Sequence, residues 1–359
     1  MWVTVSVTAV FITAILVLDL LAAGVAAIFG RSFRKFFLGG LRALLVPVIV
    51  LFYGMFIGRN HYVVNELEIV SRDVPESFDG YRIVQISDLH LESFGSRSRS
   101  LARAVSKVNA LNPDLILFTG DLVTSHPSEM DGLEHVLSGL EAKDGICSVL
   151  GNHDYCIYRR WESDSLRAAA VRELVAREES LGWHVLMNSC VNIVRPRSGE
   201  SSASSSAPDS FSVPAAADTI SVAGVENISQ TSYFPSYGDL DKAMADAGGC
   251  FRILMTHDPT HWHKAISQYP DIDLTLSGHT HAMQFSIFGW SPSSLIFDEY
   301  RGLYMKNPGE PGSSSLRSHS ASSDSGNLLY VNIGLGETAI PSRFGAAPEI
   351  TLFTLRHSE

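Results

Sequence analysis

Only four cysteines occur in this 359-residue chain, at 147, 156, 190 and 250, and no two of them stand as Cys-x-x-Cys. That excludes a zinc ribbon and a thioredoxin-type dithiol. Cys147 lies in the apolar run Gly145–Leu150 and reads as a small buried hydrophobe. The other three could pair in an oxidising compartment, and their number does not fix the compartment. Basic charge is also scarce: 27 Lys and Arg stand against 38 Asp and Glu, a net of −11. A phosphate-backbone binder needs a basic face, so no nucleic-acid partner is expected. Small phosphorylated substrates remain open, because bound cations invert the local field. Acids are rarest at the N-terminus. Residues 1–60 hold Asp19 against Arg31, Arg34, Lys35, Arg42 and Arg59, a net of +4, which leaves −15 on the remainder.

Val3 to Gly30 is almost unbroken apolar sequence, longer than the roughly 20 residues a spanning helix needs. No basic n-region precedes it and it is too long for an h-region, so a cleaved signal peptide is not expected. The basic link Arg31-Ser-Phe-Arg-Lys35 follows, then a second apolar run from Ala43 to Gly58 with Pro47 inside it. That run can cross if Arg42 and Arg59 snorkel. Residues 1–60 therefore read as a membrane anchor of two apolar helices, and 61–359 as one large domain. With two crossings, the basic link is cytoplasmic and the domain extracytoplasmic; with the second run lying in the interface, the domain is cytoplasmic. Two crossings are the expected arrangement, making the chain integral to the cell membrane.

The domain alternates strands and helices. Tyr62–Val70, Tyr81–Ile86, Leu115–Phe118 and the Cys147 run read as strands, and residues 99–111, 130–142 and 163–181 as helices with apolar residues at helical spacing. Continuous apolar strands between amphipathic helices argue an α/β arrangement with a covered sheet. Further strands are expected at 184–194, 219–225, 251–256, 272–277, 328–335 and 349–355. A Ser/Ala/Pro-rich tract (197–218) and a Ser/Gly-rich tract (307–327) read as disordered loops between strands.

Five of these strands deliver metal-capable residues at once. The blocks are Asp88-Leu89-His90, Gly120-Asp121, Gly151-Asn152-His153-Asp154, Thr256-His257-Asp258 and Gly278-His279-Thr280-His281. Strand ends converge on one rim of an open α/β sheet. The two-residue spacing of Asp88/His90 and of His279/His281 points each pair the same way on extended backbone. Gly120, Gly151 and Gly278 permit close turns. A set of carboxylate, imidazole and amide without thiolate suits Mn, Fe, Zn or Mg as divalent ions.

In this order the blocks D-x-H, G-D, G-N-H-D, H and G-H-x-H resemble the calcineurin-like metallophosphoesterase superfamily over about residues 80–356. The flanks Phe78-Asp-Gly-Tyr-Arg-Ile-Val-Gln-Ile-Ser-Asp-Leu-His90 and Arg343-Phe-Gly-Ala-Ala-Pro-Glu-Ile350 are similar to its membrane-associated bacterial branch. That branch includes transmembrane proteins with a metallophosphoesterase domain and phosphodiesterases acting on simple diesters or on UDP-diacylglucosamine. The resemblance implies a two-sheet sandwich flanked by helices (α-β-β-α), here preceded by an N-terminal transmembrane helical hairpin.

It also implies two divalent metal ions, one held by Asp88, His90 and His281, the other by Asn152, His257 and His279, with Asp121 shared. Two cations roughly 3.5–4 Å apart lower the pKa of a water between them and clamp the attacking and leaving oxygens of an in-line displacement. His153 is the expected catalytic acid, protonating the leaving oxygen or stabilising phosphoryl charge. Asp154 orients His153 or a ligand, or is a plain turn carboxylate. The expected substrate is a phosphorylated small molecule or lipid.

Two departures narrow this. Leu-Val-Thr-Ser follows Asp121 where Ser/Thr protein phosphatases have Asp-Arg-Gly, which argues against a phosphoprotein substrate. Ala282-Met-Gln284 stands where many relatives have Gly-Gly-Gln. The remaining histidines (61, 126, 135, 184, 261, 263, 319 and 357) read as surface or packing residues, with His261 and His263 the two that could line the pocket. The competing readings are a nuclease of the same superfamily, disfavoured by the acidic body, and a non-catalytic membrane scaffold or sensor, disfavoured because every ligand position is filled.

Overall fold

The computed structural model describes residues 2–43, 45–95, 97–197, 217–307, 310 and 312–359, with the backbone alone for 2–12. Helices α1 (Trp2–Ile28), α2 (Phe33–Ala43) and α3 (Leu45–Phe56) open the chain. The stretch Phe33–Asn60 is long and apolar enough to cross a membrane, and its most apolar window is not buried in the protein, whereas Gly54 and Gly58 near its end are. The basic link thus does not stay a link: from Phe33 onward it is the first turn of α2.

Along the chain follow β1 (Val63–Ser71), β2 (Arg82–Ile86), α4 (Ser98–Ala110), β3 (Leu115–Phe118), α5 (Glu134–Leu137), β4 (Ile146–Ser148), α6 (Asp164–Ser180) and β5 (Trp183–Val185). The second half holds β6 (Ser189–Pro196), β7 (Ala217–Gly224), α7 (Leu240–Met244), β8 (Phe251–Met255), α8 (Trp262–Gln268) and β9 (Leu274–Ser277). It ends with β10 (Gly302–Lys306), β11 (Ser314–Leu316), β12 (Ser320–Ser322), β13 (Asn327–Val331) and β14 (Glu349–His357). Two seven-stranded sheets result, ordered β12-β1-β14-β2-β3-β4-β5 and β11-β10-β13-β9-β8-β7-β6.

Both faces of each central strand are buried, which is why the strands read as continuous apolar runs. Ile83, Leu115, Leu117, Cys147 and Phe353 of one sheet face Val222, Ile253, Met255 and Leu274 of the other in the core between them. Their neighbours Val84, Ile86, Ile116 and Phe118 pack outward on Leu101, Ala104, Val108 and Leu174 of α4 and α6. On the far side, Ala223 and Leu254 meet Leu240, Ala243 and Ala265 of α7 and α8. The layers are α-β-β-α, and Cys147 is the buried apolar filler expected, its thiol pushed up to about 12 by burial.

Three expectations need correction. The strand at 184–194 is two strands in different sheets, β5 on β4 and β6 on β7. Asn188, at φ +55°, turns the chain between them while its amide holds Glu226. The helix at 130–142 shrinks to α5 after a tight turn at Pro127–Met130, with Gly132 at φ +77° just ahead of it. Met130, Leu133, Val136, Leu137 and Leu140 are nonetheless all buried. In the Ser/Gly-rich tract, Ser314–Leu316 and Ser320–Ser322 are edge strands, because backbone pairing with β10 and β1 needs no apolar side chain. Residues 308, 309 and 311 of that tract, and 198–216 of the other, lie outside the described residues.

Glu178 of α6 is fully buried with one oxygen on Ser148 Oγ at 2.7 Å, and burial, reinforced by the Asp154 charge, pushes its carboxyl well above the usual range. The unfolded chain releases this proton near the ordinary Glu range while the folded chain keeps it, so stability falls as pH rises through that range. Glu178→Gln removes the titration. Its stability relative to the parent should grow by about 1.4 kcal/mol per pH unit above that range, until the folded carboxyl itself ionises. Melting curves of both proteins at pH 5 and pH 8 check this; an equal gap at the two pH values would refute it.

Candidate metal centre

Parallel pairing of β2, β3 and β4 in one sheet, and of β8 and β9 in the other, aims five strand tips at one spot. Gln85 pins the two sheets together there, its amide donating to Thr119 Oγ1 (3.0 Å) and to the Ser277 carbonyl (2.9 Å). Beyond the tips the backbone is tightly wound: Asp88, His90, Asp121, His279 and His281 all have positive φ. Such conformations in non-glycine residues cost roughly 1–3 kcal/mol each and cluster where function demands them. Space is equally constrained. A Cβ on Gly151 would come within 2.7 Å of Asp121 Cγ, and one on Gly278 within 3.1 Å of Ser87 Cβ and onto the Asp88 carboxylate.

All eight residues singled out in the sequence lie in this region. Asp88, His90 and His281 form one group of mutually close donor atoms, Asp121, His257 and His279 a second, and His90, Asp121 and His153 a third. Asp121 Oδ2 lies 3.1 Å from His257 Nε2 and 3.5 Å from His90 Nε2. His281 Nε2 lies 3.2 Å from Asp88 Oδ1 and 3.1 Å from His90 Nε2. Asn152 is buried at the β4 tip with Nδ2 donating to Tyr158 Oη (2.9 Å).

Two buried atoms on candidate ligands have no hydrogen-bond partner, Asn152 Oδ1 and His257 Nε2. The His257 ring donates from Nδ1 to the Thr119 carbonyl at 2.7 Å, which turns Nε2 toward the Asp121 carboxylate, where a neutral ring would set lone pair against lone pair. Lone pairs opposed across a dry site are costly unless a cation lies between them, so the donor set fits divalent metal ions. Electrostatics agree. Burial is the largest single influence on His257 and lowers it, but the charge and hydrogen bond of Asp121, with the Asp88 charge and the Thr119 carbonyl, together push the ring up to about 10. Burial alone would raise Asp88 and Asp121, yet the imidazoles of His281 and His257 hold both well below the usual range. The site seeks positive charge.

His153 donates its backbone N–H to Asp121 Oδ1 (2.8 Å) and its ring Nδ1–H to the Thr124 carbonyl (2.7 Å), so Nε2 is left for chemistry. Tyr158 stacks on the ring at 3.9 Å. Asp154 does not touch His153's ring. Its carboxylate accepts the backbone N–H groups of Asp121, Gly151 and Val123, which fixes the turn carrying Asp121.

A family model described as Calcineurin-like phosphoesterase matches residues 81–283, which contain every residue of this centre. The chain belongs to that family. It is a metal-dependent phosphoesterase, and the family implies divalent metal ions, for which these residues are candidate ligands. This phosphoesterase is 30% identical over 338 residues to the "Transmembrane protein with metallophosphoesterase domain" of Danio rerio, covering 92% of this chain but only 65% of that protein. It is 29% identical to the "Uncharacterized metallophosphoesterase YkuE" of Bacillus subtilis, over 85% of this chain and 89% of that one. It is also 29% identical to the "UDP-2,3-diacylglucosamine pyrophosphatase LpxG" of Chlamydia trachomatis, over 87% of this chain and 96% of that one.

Two side chains of the phosphoesterase site have no role assigned from sequence, although Arg343 opens the flank 343–350 that carries part of the resemblance. Arg343 is wholly buried, donates to the carbonyls of Ile333, Gly336 and Ala346, and lies 3.2 Å from His281 Nδ1. Its Nη2 donors are taken up by the Ile333 and Gly336 carbonyls, so the guanidinium packs beside the His281 ring and holds it in place beside Asp88 and His90. Tyr158, six residues past Asn152, was invisible. His261 and His263 stay outside the centre: His261 is buried against Thr256 Oγ1 at 3.1 Å, and burial pushes it down to about 4, while His263 pairs with Glu299 at 3.0 Å.

Proposed function

We propose that this phosphoesterase is a membrane-anchored hydrolase of a phosphodiester or pyrophosphate bond, using two divalent cations drawn from Mn, Fe, Zn or Mg, on a lipid-linked substrate such as UDP-2,3-diacylglucosamine. The observation that carries the reading is Asp121, whose carboxylate lies within reach of both His90 and His257 and so belongs to two ligand groups at once. Asp88, His90 and His281 would hold one ion, and Asn152, His257 and His279 the other. Bound cations supply Lewis acidity and lower the pKa of water. The chain's own residues do the rest. Tyr158 keeps the Asn152 amide turned so that Oδ1 faces the centre, and Asp154 fixes the Asp121 turn. His153, with Nδ1–H engaged by Thr124, presents Nε2 to give a proton to the leaving oxygen.

Residues 1–60 are read as the anchor and 61–359 as the hydrolase domain. Two crossings, with the basic stretch near Arg31–Lys35 cytoplasmic, put the domain outside the cytoplasm. Reporter fusions after residue 60 read out the face, and activity of a cytoplasmic reporter alone would reverse this assignment. The lipid-linked substrate is supported by the rim. Met283, Leu295 and Ile296 are exposed, and Phe297 lies edge-on to His279 at 5.6 Å, so the mouth is bordered by apolar side chains.

The chemistry is tested on the full chain in detergent with bis-p-nitrophenyl phosphate. Hydrolysis is expected with Mn²⁺ and is expected to vanish with a chelator, returning when metal is restored. Turnover indifferent to the chelator would end the dimetal reading.

A further inference from the structure

From Ala282 to Phe297 the chain has no charged residue, in a protein where 18% of residues are Asp, Glu, Lys or Arg. The segment does not hide in the core. Phe288 is fully exposed, and Leu295 (78%), Ile296 (66%), Trp290 (50%), Met283 and Ile287 (both 42%) are open to solvent. Large apolar side chains clustered on a surface mark an interaction site. Ala282, Met283, Gln284 and Phe288 hold left-handed backbone conformations, so the chain bears strain to present this loop.

The loop's neighbours indicate what covers it. Phe285 bridges to Phe344, their rings stacked at 5.8 Å, with Ser286 N–H donating to the Phe344 carbonyl (2.7 Å) and Phe344 N–H to that of Gln284 (2.9 Å). The other side of the same strap carries α3. Tyr53 lies edge-on to Phe344 at 5.8 Å, Arg343 N–H donates to the Gly54 carbonyl, and Ser342 Oγ donates to that of Leu51. Gly54 permits this contact, since a Cβ there would strike Ser342. Arg59 then locks the helix end to Glu337 at 3.0 Å. The uncharged loop is therefore fixed beside a helix whose Phe52, Phe56 and Ile57 are themselves exposed.

We infer that residues 283–296 enter the bilayer interface alongside α3 as a second, non-helical contact, holding the mouth of the metal centre at headgroup level. This rests on the reading of Phe33–Asn60 as membrane-embedded. A bilayer suits the patch better than a soluble partner does: the patch continues the exposed apolar face of α3, lacks any charge, and carries a Trp, the residue enriched at membrane–water interfaces. It also gives a reason for apolar residues at the rim, because a lipid-linked phosphate would reach the centre without leaving the headgroup layer.

The test uses the full chain in phosphatidylcholine vesicles with and without bromine on the acyl chains. Emission of the parent minus that of Trp290→Phe isolates Trp290, cancelling Trp2, Trp161, Trp183 and Trp262. The expected result is loss of the Trp290 signal in brominated lipid, and restoration of that signal in an Ile287→Asp, Phe288→Asp double variant that still hydrolyses bis-p-nitrophenyl phosphate. Unquenched Trp290 in the parent overturns the inference, including the case where a second copy of the chain covers the loop. Should the double variant not fold, the parent's quenching decides alone. Flotation of the parent with vesicles reads the anchor separately, and its hydrolysis of the soluble diester reads the chemistry separately.

Discussion

Asp121→Asn is expected to lower turnover by more than about 10³-fold, beyond the 10–100-fold that loss of an outer partner costs a metal site. The reason is geometric as well as electrostatic. One oxygen of Asp121 accepts the His153 backbone N–H at 2.8 Å, and the other lies 3.1 Å from His257 Nε2 and 3.5 Å from His90 Nε2. An amide must put its NH₂ on one side or the other. Turned one way it sets a donor against the His153 N–H; turned the other it points a donor at the place where a cation belongs. The substitution also removes the negative charge that draws His257 up to about 10. Metal content of the purified variant should fall, and excess Mn²⁺ should fail to restore hydrolysis of bis-p-nitrophenyl phosphate. A variant that keeps its metal and parent-like turnover would remove Asp121 from the centre of the mechanism.

Much of this was legible because strand ends and ligands coincide in the sequence. The runs ending at Ile86, Phe118, Ser148, Met255 and Ser277 each stop two to four residues before a carboxylate, amide or imidazole, so placing the strands also placed the candidate ligands. Apolar burial is equally easy to read, and it held even where the helix at 130–142 did not form. What stayed hidden is interaction across long separations. Arg343 reaches His281 from 62 residues away, and although the flank it opens resembles the family, nothing local says that its side chain is buried at the centre. Glu337 meets Arg59 across 278 residues, and that contact decides how the apolar helix sits on the domain. Serine-rich segments mislead for a different reason: composition reports the cost of burying side chains, whereas β11 and β12 are held by backbone hydrogen bonds at sheet edges. The departure Ala282-Met-Gln284 was visible as a departure, but its consequence was not, because positive φ at all three positions is a property of the folded rim.

His153→Ala separates two roles that sequence alone left joined, donation of a proton and stabilisation of phosphoryl charge. With Nδ1–H held by the Thr124 carbonyl, only Nε2 can act, and the stack on Tyr158 at 3.9 Å keeps the ring from swinging away. As the P–O bond to the leaving group breaks, the electron pair passes to that oxygen and the Nε2 proton follows it, leaving neutral imidazole. The benefit scales with the basicity of the leaving oxygen. A diester with an alkoxide leaving group should therefore lose about 10²–10⁴-fold in kcat, the usual worth of general acid help. A p-nitrophenolate leaving group carries its charge unaided, so bis-p-nitrophenyl phosphate should lose far less. The parent and variant are compared on both substrates at saturating Mn²⁺, with metal content measured to show that the centre is intact. Equal losses on the two substrates would assign His153 to charge stabilisation at the phosphoryl group, since that charge develops whichever oxygen departs.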